Sequence, residues 1–178
     1  MMLGYFRKIF AYAFLSVFCV TLFAQQTAPS AGGSWKMYEA QDPMTAARKV
    51  RFELEGDNYL RGADHRPRVV VFCTNGKFQL ADFRPNVRIA PPDRPGFWSQ
   101  PQMEVTVRVN DSHSHHGWNW VNGEFLAMDK NTTRELLGAN LFRVELPTSQ
   151  GVQIAEFSPA GLDTSLVNNA CGLTPKKP

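Results

Sequence analysis

The sequence predicts a mainly β fold: a single-domain β-sandwich or open barrel with one or two short helices, stapled by one disulfide. Three observations predict it. About eight short apolar or alternating segments are separated by Asn-Gly, Gly and Pro turn signals. Only two stretches carry helix punctuation. Cys73 and Cys171 stand 98 positions apart in the chain that follows an apolar N-terminal segment.

Residues 1–24 have the three parts of a signal peptide. Arg7 and Lys8 form a positive start, Ile9 to Phe23 is apolar apart from Ser16 and Thr21, and Ala24 suits a cleavage position. The stretch falls short of the roughly 20 apolar residues of a spanning helix, so removal is expected, with no integral membrane segment left. Cys19 follows the bulky Phe18, which does not suit lipidation. The 178-residue chain has 19 basic and 16 acidic side chains, and losing Arg7 and Lys8 leaves near neutrality. That balance offers no nucleic-acid footprint and no polybasic membrane patch. Export places Cys73 and Cys171 where disulfides persist, and a bridge over a loop of about 100 residues stabilises by up to ~4.7 kcal/mol in the chain-entropy model.

The elements follow in order. Residues 25–34 (QQTAPSAGGS) are small and polar and read as a flexible linker. The β-rich exported domain is expected over 35–173, with 174–178 as a C-terminal tail. Val50 to Leu54 alternates apolar and charged residues, the period of a half-buried strand. Val69 to Cys73 (VVVFC) is a β-branched run suited to a central strand buried on both faces. Asn75-Gly76 then predicts a hairpin turn, with Phe78, Leu80 and Phe83 in the returning strand. The Pro-rich stretch from Pro85 to Pro101 predicts a long surface excursion carrying Phe97 and Trp98. Met103 to Val109 alternates most clearly of all, and strands are expected again at Trp118–Val121 and Phe125–Met128 around Asn122-Gly123. Thr132 and Glu135 fit a capping box for a short helix ending at Gly138. Phe142–Leu146 and Val152–Phe157 predict two more strands, the second with an irregularity before Ser158. Ser158-Pro159 then predicts the start of a last helix that ends at Gly172.

The ordered set Trp35, Asp42-Pro43-Met44-Thr45, Cys73 with Gly76-Lys77, Arg108-Val109-Asn110-Asp111, Trp118, Phe157, Gly161-Leu162 and Cys171-Gly172 resembles the type VI secretion-associated accessory proteins of the VasI/TagO-like family. The likeness runs from Trp35 to Gly172. It implies a small exported envelope protein with a leader, one domain and a cysteine pair, working beside the secretion machinery. The chain departs from the family pattern in Ala46-Ala47, in its histidine cluster and in the length of the Pro85–Pro101 excursion.

Candidate chemistry is sparse. Asp111, His113, His115 and His116 concentrate three of the four histidines beside a carboxylate, a donor set suited to Zn, Cu or Ni. The alternative is a solvated hairpin loop. Ser112 and Ser114 neighbour histidines, but adjacency in sequence is not a catalytic triad, and no GxSxG elbow, CxxC, P-loop or GxGxxG occurs. Asp42 to Thr45 suits a turn, and Phe97 and Trp98 suit either partner contact or a fold-back over the domain. The expectation is a non-enzymatic periplasmic protein without cofactor, acting through contact with envelope or secretion-machinery proteins. The alternative is a periplasmic metal- or small-ligand-binding module using the His113–His116 loop.

Overall fold

The computed structural model describes residues 30–92, 94–95 and 100–176. The expected signal peptide and the pair Phe97 and Trp98 lie outside the described residues. Eleven strands and two helices occur among them. The strands are β1 (Ser30–Gly32), β2 (Trp35–Gln41), β3 (Arg48–Glu55), β4 (Arg68–Thr74), β5 (Lys77–Arg84), β6 (Arg94–Pro95), β7 (Pro101–Val109), β8 (Ser112–Val121), β9 (Phe125–Met128), β10 (Phe142–Thr148) and β11 (Gly151–Phe157). Helix α1 spans Lys130–Leu137 and α2 spans Thr164–Cys171.

All strand pairs are antiparallel and form one sheet, in the order β1-β2-β3-β4-β5-β9-β8-β7-β10-β11, with β6 paired to β7 off this path. The mainly β architecture is as expected, and the barrel is not closed. The sheet curls, because its far ends meet. The Asp57 N–H, just past β3, donates to the Glu156 carbonyl of β11 at 2.7 Å, and the Asn58 side chain bonds Ile154 and Glu156 of the same strand. Phe83 of β5 lies 6.1 Å from Phe157 of β11, ring to ring. The 57–58 segment occupies the hydrogen-bonding edge of β11 without closing the ladder, which protects an edge that would otherwise invite pairing.

Alternation sorts the side chains. Val50, Phe52 and Leu54 of β3, Met103, Val105, Val107 and Val109 of β7, and Phe142, Val144 and Leu146 of β10 all enter the core. Val69, Val70 and Val71 are buried, as the continuous β-branched run requires on both faces of β4. Both Asn-Gly pairs form tight turns with positive φ at each residue, 50° and 76° at Asn75-Gly76 and 51° and 73° at Asn122-Gly123. The helices fill the inner side. Leu136 and Leu137 of α1 and Val167, Ala170 and Cys171 of α2 join the same core. Cys73 and Cys171 are bonded, Cα to Cα 5.1 Å apart, so the bridge fixes the end of α2 to the inner face of β4.

Several expectations are corrected. Within the expected linker of residues 25–34, Ser30–Gly32 form a strand: β1 pairs with β2 and buries Ala31, and a Cβ on Gly32 would collide with the Gly161 carbonyl. The last helix does not begin at Ser158-Pro159. That pair lies outside the helix, the Pro159 carbonyl accepts the buried Trp35 indole N–H at 2.9 Å, and Asp163 caps α2 instead. The cap of α1 is Asp129, whose Oδ1 takes the Thr132 N–H at 2.9 Å, so Thr132 lies inside the helix. Strand β11 runs without irregularity, with Ala155 and Phe157 inward and Val152 and Ile154 outward.

Replacing Cys73 and Cys171 together by alanine should lower unfolding stability by about 2–5 kcal/mol. Denaturant unfolding of the native and doubly substituted proteins checks this, and equal midpoints would contradict a stabilising role for the bridge.

Candidate functional site: an outer trough above a buried aspartate

The histidine cluster is not a loop. Residues Ser112–Val121 are strand β8, paired with β7 so that His113 faces Arg108 and His115 faces Thr106. Alternation sends His113 and His115 to the outer face and Ser114, His116 and Trp118 to the inner one. The four expected ligands therefore do not converge. Asp111 is exposed and pairs with Arg108 at 3.7 Å. A cavity of about 440 Å³ beside His113 is lined by Arg108 and Arg143 as well as Asp111 and Glu145, and both arginines are ion-paired, Arg108 with Asp111 and Arg143 with Glu156. His115 Nδ1 lies 3.4 Å from the Thr106 hydroxyl. Among the described residues no group of three or more His, Cys, Asp and Glu side chains could hold a metal ion.

His116 belongs to a different network. Its Nε2 lies 2.8 Å from the Ser114 hydroxyl, and its Nδ1 lies 3.0 Å from the Thr132 hydroxyl and 3.3 Å from Asp129 Oδ2. Asp129 also accepts the Thr132 hydroxyl at 2.5 Å and the Trp118 indole N–H at 3.3 Å. Serine, histidine and aspartate thus stand in the order of a nucleophilic relay, but that chemistry also needs oxyanion donors and a substrate cleft. The cavity touching His116 is formed by Gln102, Glu104, His115 and Gly117, on the strand face opposite Ser114. Every other member of the network ties the first turn of α1 to β8. Burial pushes the Asp129 carboxyl up, but the Thr132 hydroxyl and N–H, His116 and the Trp118 indole outweigh it and hold the group below its ordinary value.

The Asp42-Pro43-Met44-Thr45 motif forms the turn between β2 and β3. Asp42 Oδ1 accepts the N–H groups of Met44 and Thr45, both at 3.0 Å, while Oδ2 pairs with Lys49 at 2.5 Å. The Lys49 ammonium and these two N–H groups hold the Asp42 carboxyl far below the usual carboxylate range. Met44 projects from the turn 91 % exposed. Trp35 and Trp118 are fully buried core residues.

A wide concavity lies elsewhere, on the outer face of β2–β5 and β9. It is a trough of about 780 Å³, floored by Tyr38, Phe72, Leu80, Phe125 and Ala127 around Asp82. A β-bulge makes it. Cys73 pairs with Phe78 but Phe72 pairs with Leu80, so β5 holds one extra residue at Gln79. Upstream of the bulge Phe78 packs against the core, and downstream Ala81 and Phe83 do. Leu80 and Asp82 are thereby turned outward, where register aligns Tyr38, Arg51, Phe72 and Leu80 in one row across four strands. Arg51 lies over the Tyr38 ring at 4.2 Å and Arg84 over Phe125 at 5.0 Å.

Asp82 is the anomaly of this face. It is 2 % exposed, pairs through Oδ2 with Arg84 at 2.8 Å, and leaves Oδ1 buried without a hydrogen-bond partner. Burial pushes its carboxyl up, against the opposing pull of the Arg84 hydrogen bond and charge. Neither the bulge nor this carboxylate was singled out in the sequence. The signal was the parity conflict between Phe78, Leu80 and Phe83, which no unbroken strand can satisfy.

Comparison with family models, with curated proteins and with solved structures returns no match for this chain.

Two opposite pH responses follow. Asp129 has a depressed folded pKa, so its stabilisation is present above the unfolded value and lost as pH falls through the folded one. Asp129→Ala should cost about 1 kcal/mol at pH 7, the loss of a helix cap, and the difference from the native chain should shrink on acidification. Asp82 has a raised folded pKa, so its contribution is full below the unfolded value near ~3.9 and lost as pH rises through the folded one. The native chain should therefore gain stability relative to Asp82→Asn as pH falls from neutrality toward about 4. Thermal or denaturant melts across pH 3–8 check both signs.

Proposed function

We propose that this chain is an exported, disulfide-stapled binding module that works in the periplasm by protein–protein contact, through the outer trough of β2–β5 and β9. The observation that carries this reading is the trough itself: an apolar concavity on a sheet face that neither helix covers. Buried anchors in such depressions dominate the energetics of protein interfaces. The disulfide supports an oxidising compartment. No helix among the described residues is long and apolar enough to cross a membrane. The resemblance to VasI/TagO-like proteins supplies the finer expectation, an accessory role beside the type VI secretion machinery, with envelope or secretion proteins as partners.

The reading that places metal binding at His113–His116 has no converging ligand set behind it. Metal titration of the native chain should return no stoichiometric site dependent on His113, His115 and His116.

Leu80 is the side chain with which to test the trough, because it is 43 % exposed and its replacement should leave the fold intact. Native protein should recover a defined set of secretion or cell-wall proteins from cross-linked envelope extract. Leu80→Glu should lose those same proteins while keeping its native circular dichroism and melting temperature. Identical capture by both chains would contradict contact through this face.

A further inference from the structure

We propose that the cavity lined by Arg68, Arg84 and Arg88 is a binding site for a phosphate group, free or carried as a monoester. It has a volume of about 480 Å³ and lies where the start of β4, the end of β5 and the loop after β5 meet the turn between β8 and β9. The site stands apart from the trough and does not depend on it.

Strand register brings the charges together. Arg68 and Arg84 are direct partners across the β4–β5 ladder, a pairing of like charges that costs stability unless anions offset it. Glu53 takes Arg68 Nη1 at 2.7 Å but is shared with Arg51 at 3.6 Å, and Asp82 takes Arg84 Nη2 at 2.8 Å. Glu55, opposite Arg68 on β3, pairs with Lys36 at 3.9 Å. Arg88 and Glu124 have no ion pair among the described residues. Four arginines, Arg51 included, thus face three carboxylates, Glu53, Asp82 and Glu124, and one positive charge of the group stays unmatched. Donors are free as well as charge. Arg68 and Arg84 each give one terminal nitrogen to a carboxylate and keep the other, Nη2 of Arg68 and Nη1 of Arg84, without a protein partner. Those two nitrogens reach solvent, because the enclosed, unpartnered atom in each guanidinium is Nε alone and the side chains are 43 % and 39 % exposed. The enclosed Nε–H groups take no part.

Chemistry then selects the ligand. An apolar occupant does not match, because Val87 is the one apolar side chain among the described residues that line the cavity. A cation would meet three guanidinium groups against the single lining carboxylate of Glu124. A carboxylate presents two oxygens in one plane and is satisfied by one arginine fork. A phosphate presents its oxygens on a tetrahedron, so it accepts from forks that approach on different sides, here from two strands and a loop. The forks are held before a ligand arrives. Arg84 lies over the Phe125 ring at 5.0 Å. The loop that carries Arg88 is pinned on both flanks: the Asn86 side-chain amide donates to the Arg66 carbonyl, and the Ile89 N–H donates to the Gly123 carbonyl at 3.3 Å. The Arg88 carbonyl itself accepts the Ser149 N–H at 3.1 Å. Holding the donors in place lowers the ordering cost of binding.

The test uses the full disulfide-bonded protein, ¹⁵N-labelled, titrated at constant ionic strength with inorganic phosphate, with glycerol phosphate and with acetate. Both phosphates should give saturable shifts at the amides of Arg84, Asn86, Arg88 and Gly123, and acetate should give none there. Arg88→Ala removes an exposed side chain with no ion pair to lose, so it should keep the native melting temperature and weaken phosphate binding about tenfold. Should that variant fail to fold, the comparison of phosphate with acetate in the native chain still decides. Tighter binding of glycerol phosphate than of inorganic phosphate would support the site and assign it to a monoester, and the reverse would support it and assign it to free phosphate. Equal saturable shifts with acetate would overturn phosphate as the ligand. Shifts that do not saturate, shifts confined to other parts of the chain, or binding unchanged by Arg88→Ala would overturn the site.

Discussion

The bond between Cys73 and Cys171 is the constraint on which the rest of the structure depends. Helix α2 has eight residues, too few to persist alone in water. Its hydrophobic contribution is Val167, Ala170 and Cys171, a narrow stripe. The bridge anchors that stripe to the inner face of β4 and so decides which side of the sheet is filled. Core residues from β3 to β11 then pack around both helices in one cluster. Neither helix covers the outer face of the same strands, where the bulge of β5 forms the trough.

Closure of the curl depends on a second, smaller device. An open antiparallel sheet must protect its edges. Here Asp57 and Asn58 supply backbone and side-chain hydrogen bonds to β11, while Trp35 reaches the Pro159 carbonyl from the opposite end. These contacts span about a hundred positions of chain, so they form only once the strands between are paired. They explain why Ser158-Pro159, a good helix start by local rules, stays outside the helix: the Pro159 carbonyl is already committed to a buried indole. A tertiary bond outranked a local preference.

Much of this was legible from residues alone. Alternation located β3, β7 and β10, the β-branched run located β4, and the Asn-Gly pairs located two turns, because each rests on contacts near in sequence. The disulfide followed from two cysteines behind an expected leader. What was not legible depended on partners far away. The histidines at 113–116 looked like a loop because their composition is polar, yet β7 offers a full row of backbone partners and extends the ladder through them. The cap of α1 fell to Asp129 in place of Thr132, since a carboxylate can serve the helix, Trp118 and His116 together. The trough was hidden for the same reason. The parity of Phe78, Leu80 and Phe83 signals a conflict, but only the register of β4 against β5 shows that the extra residue falls at Gln79.

That one-residue bulge links the fold to the candidate site. In an unbulged β5, either Phe78 or Phe83 would leave the core, and a buried aromatic is worth several kcal/mol. The bulge keeps both inside and sends Leu80 and Asp82 out together. An exposed leucine is unremarkable on any surface. A buried carboxylate with one oxygen unpaired is different, because an apolar residue of similar size would remove a desolvation cost without losing packing. Arg84 limits that cost without removing it, since it engages only Oδ2. The sheet thus carries a local destabilisation on its outer face, within the trough. A group that costs the free protein stability and is relieved by a donor from outside favours the occupied state over the empty one. This asymmetry, more than the size of the trough, is what favours the proposal that the molecule meets a partner through the outer face of β2–β5 and β9.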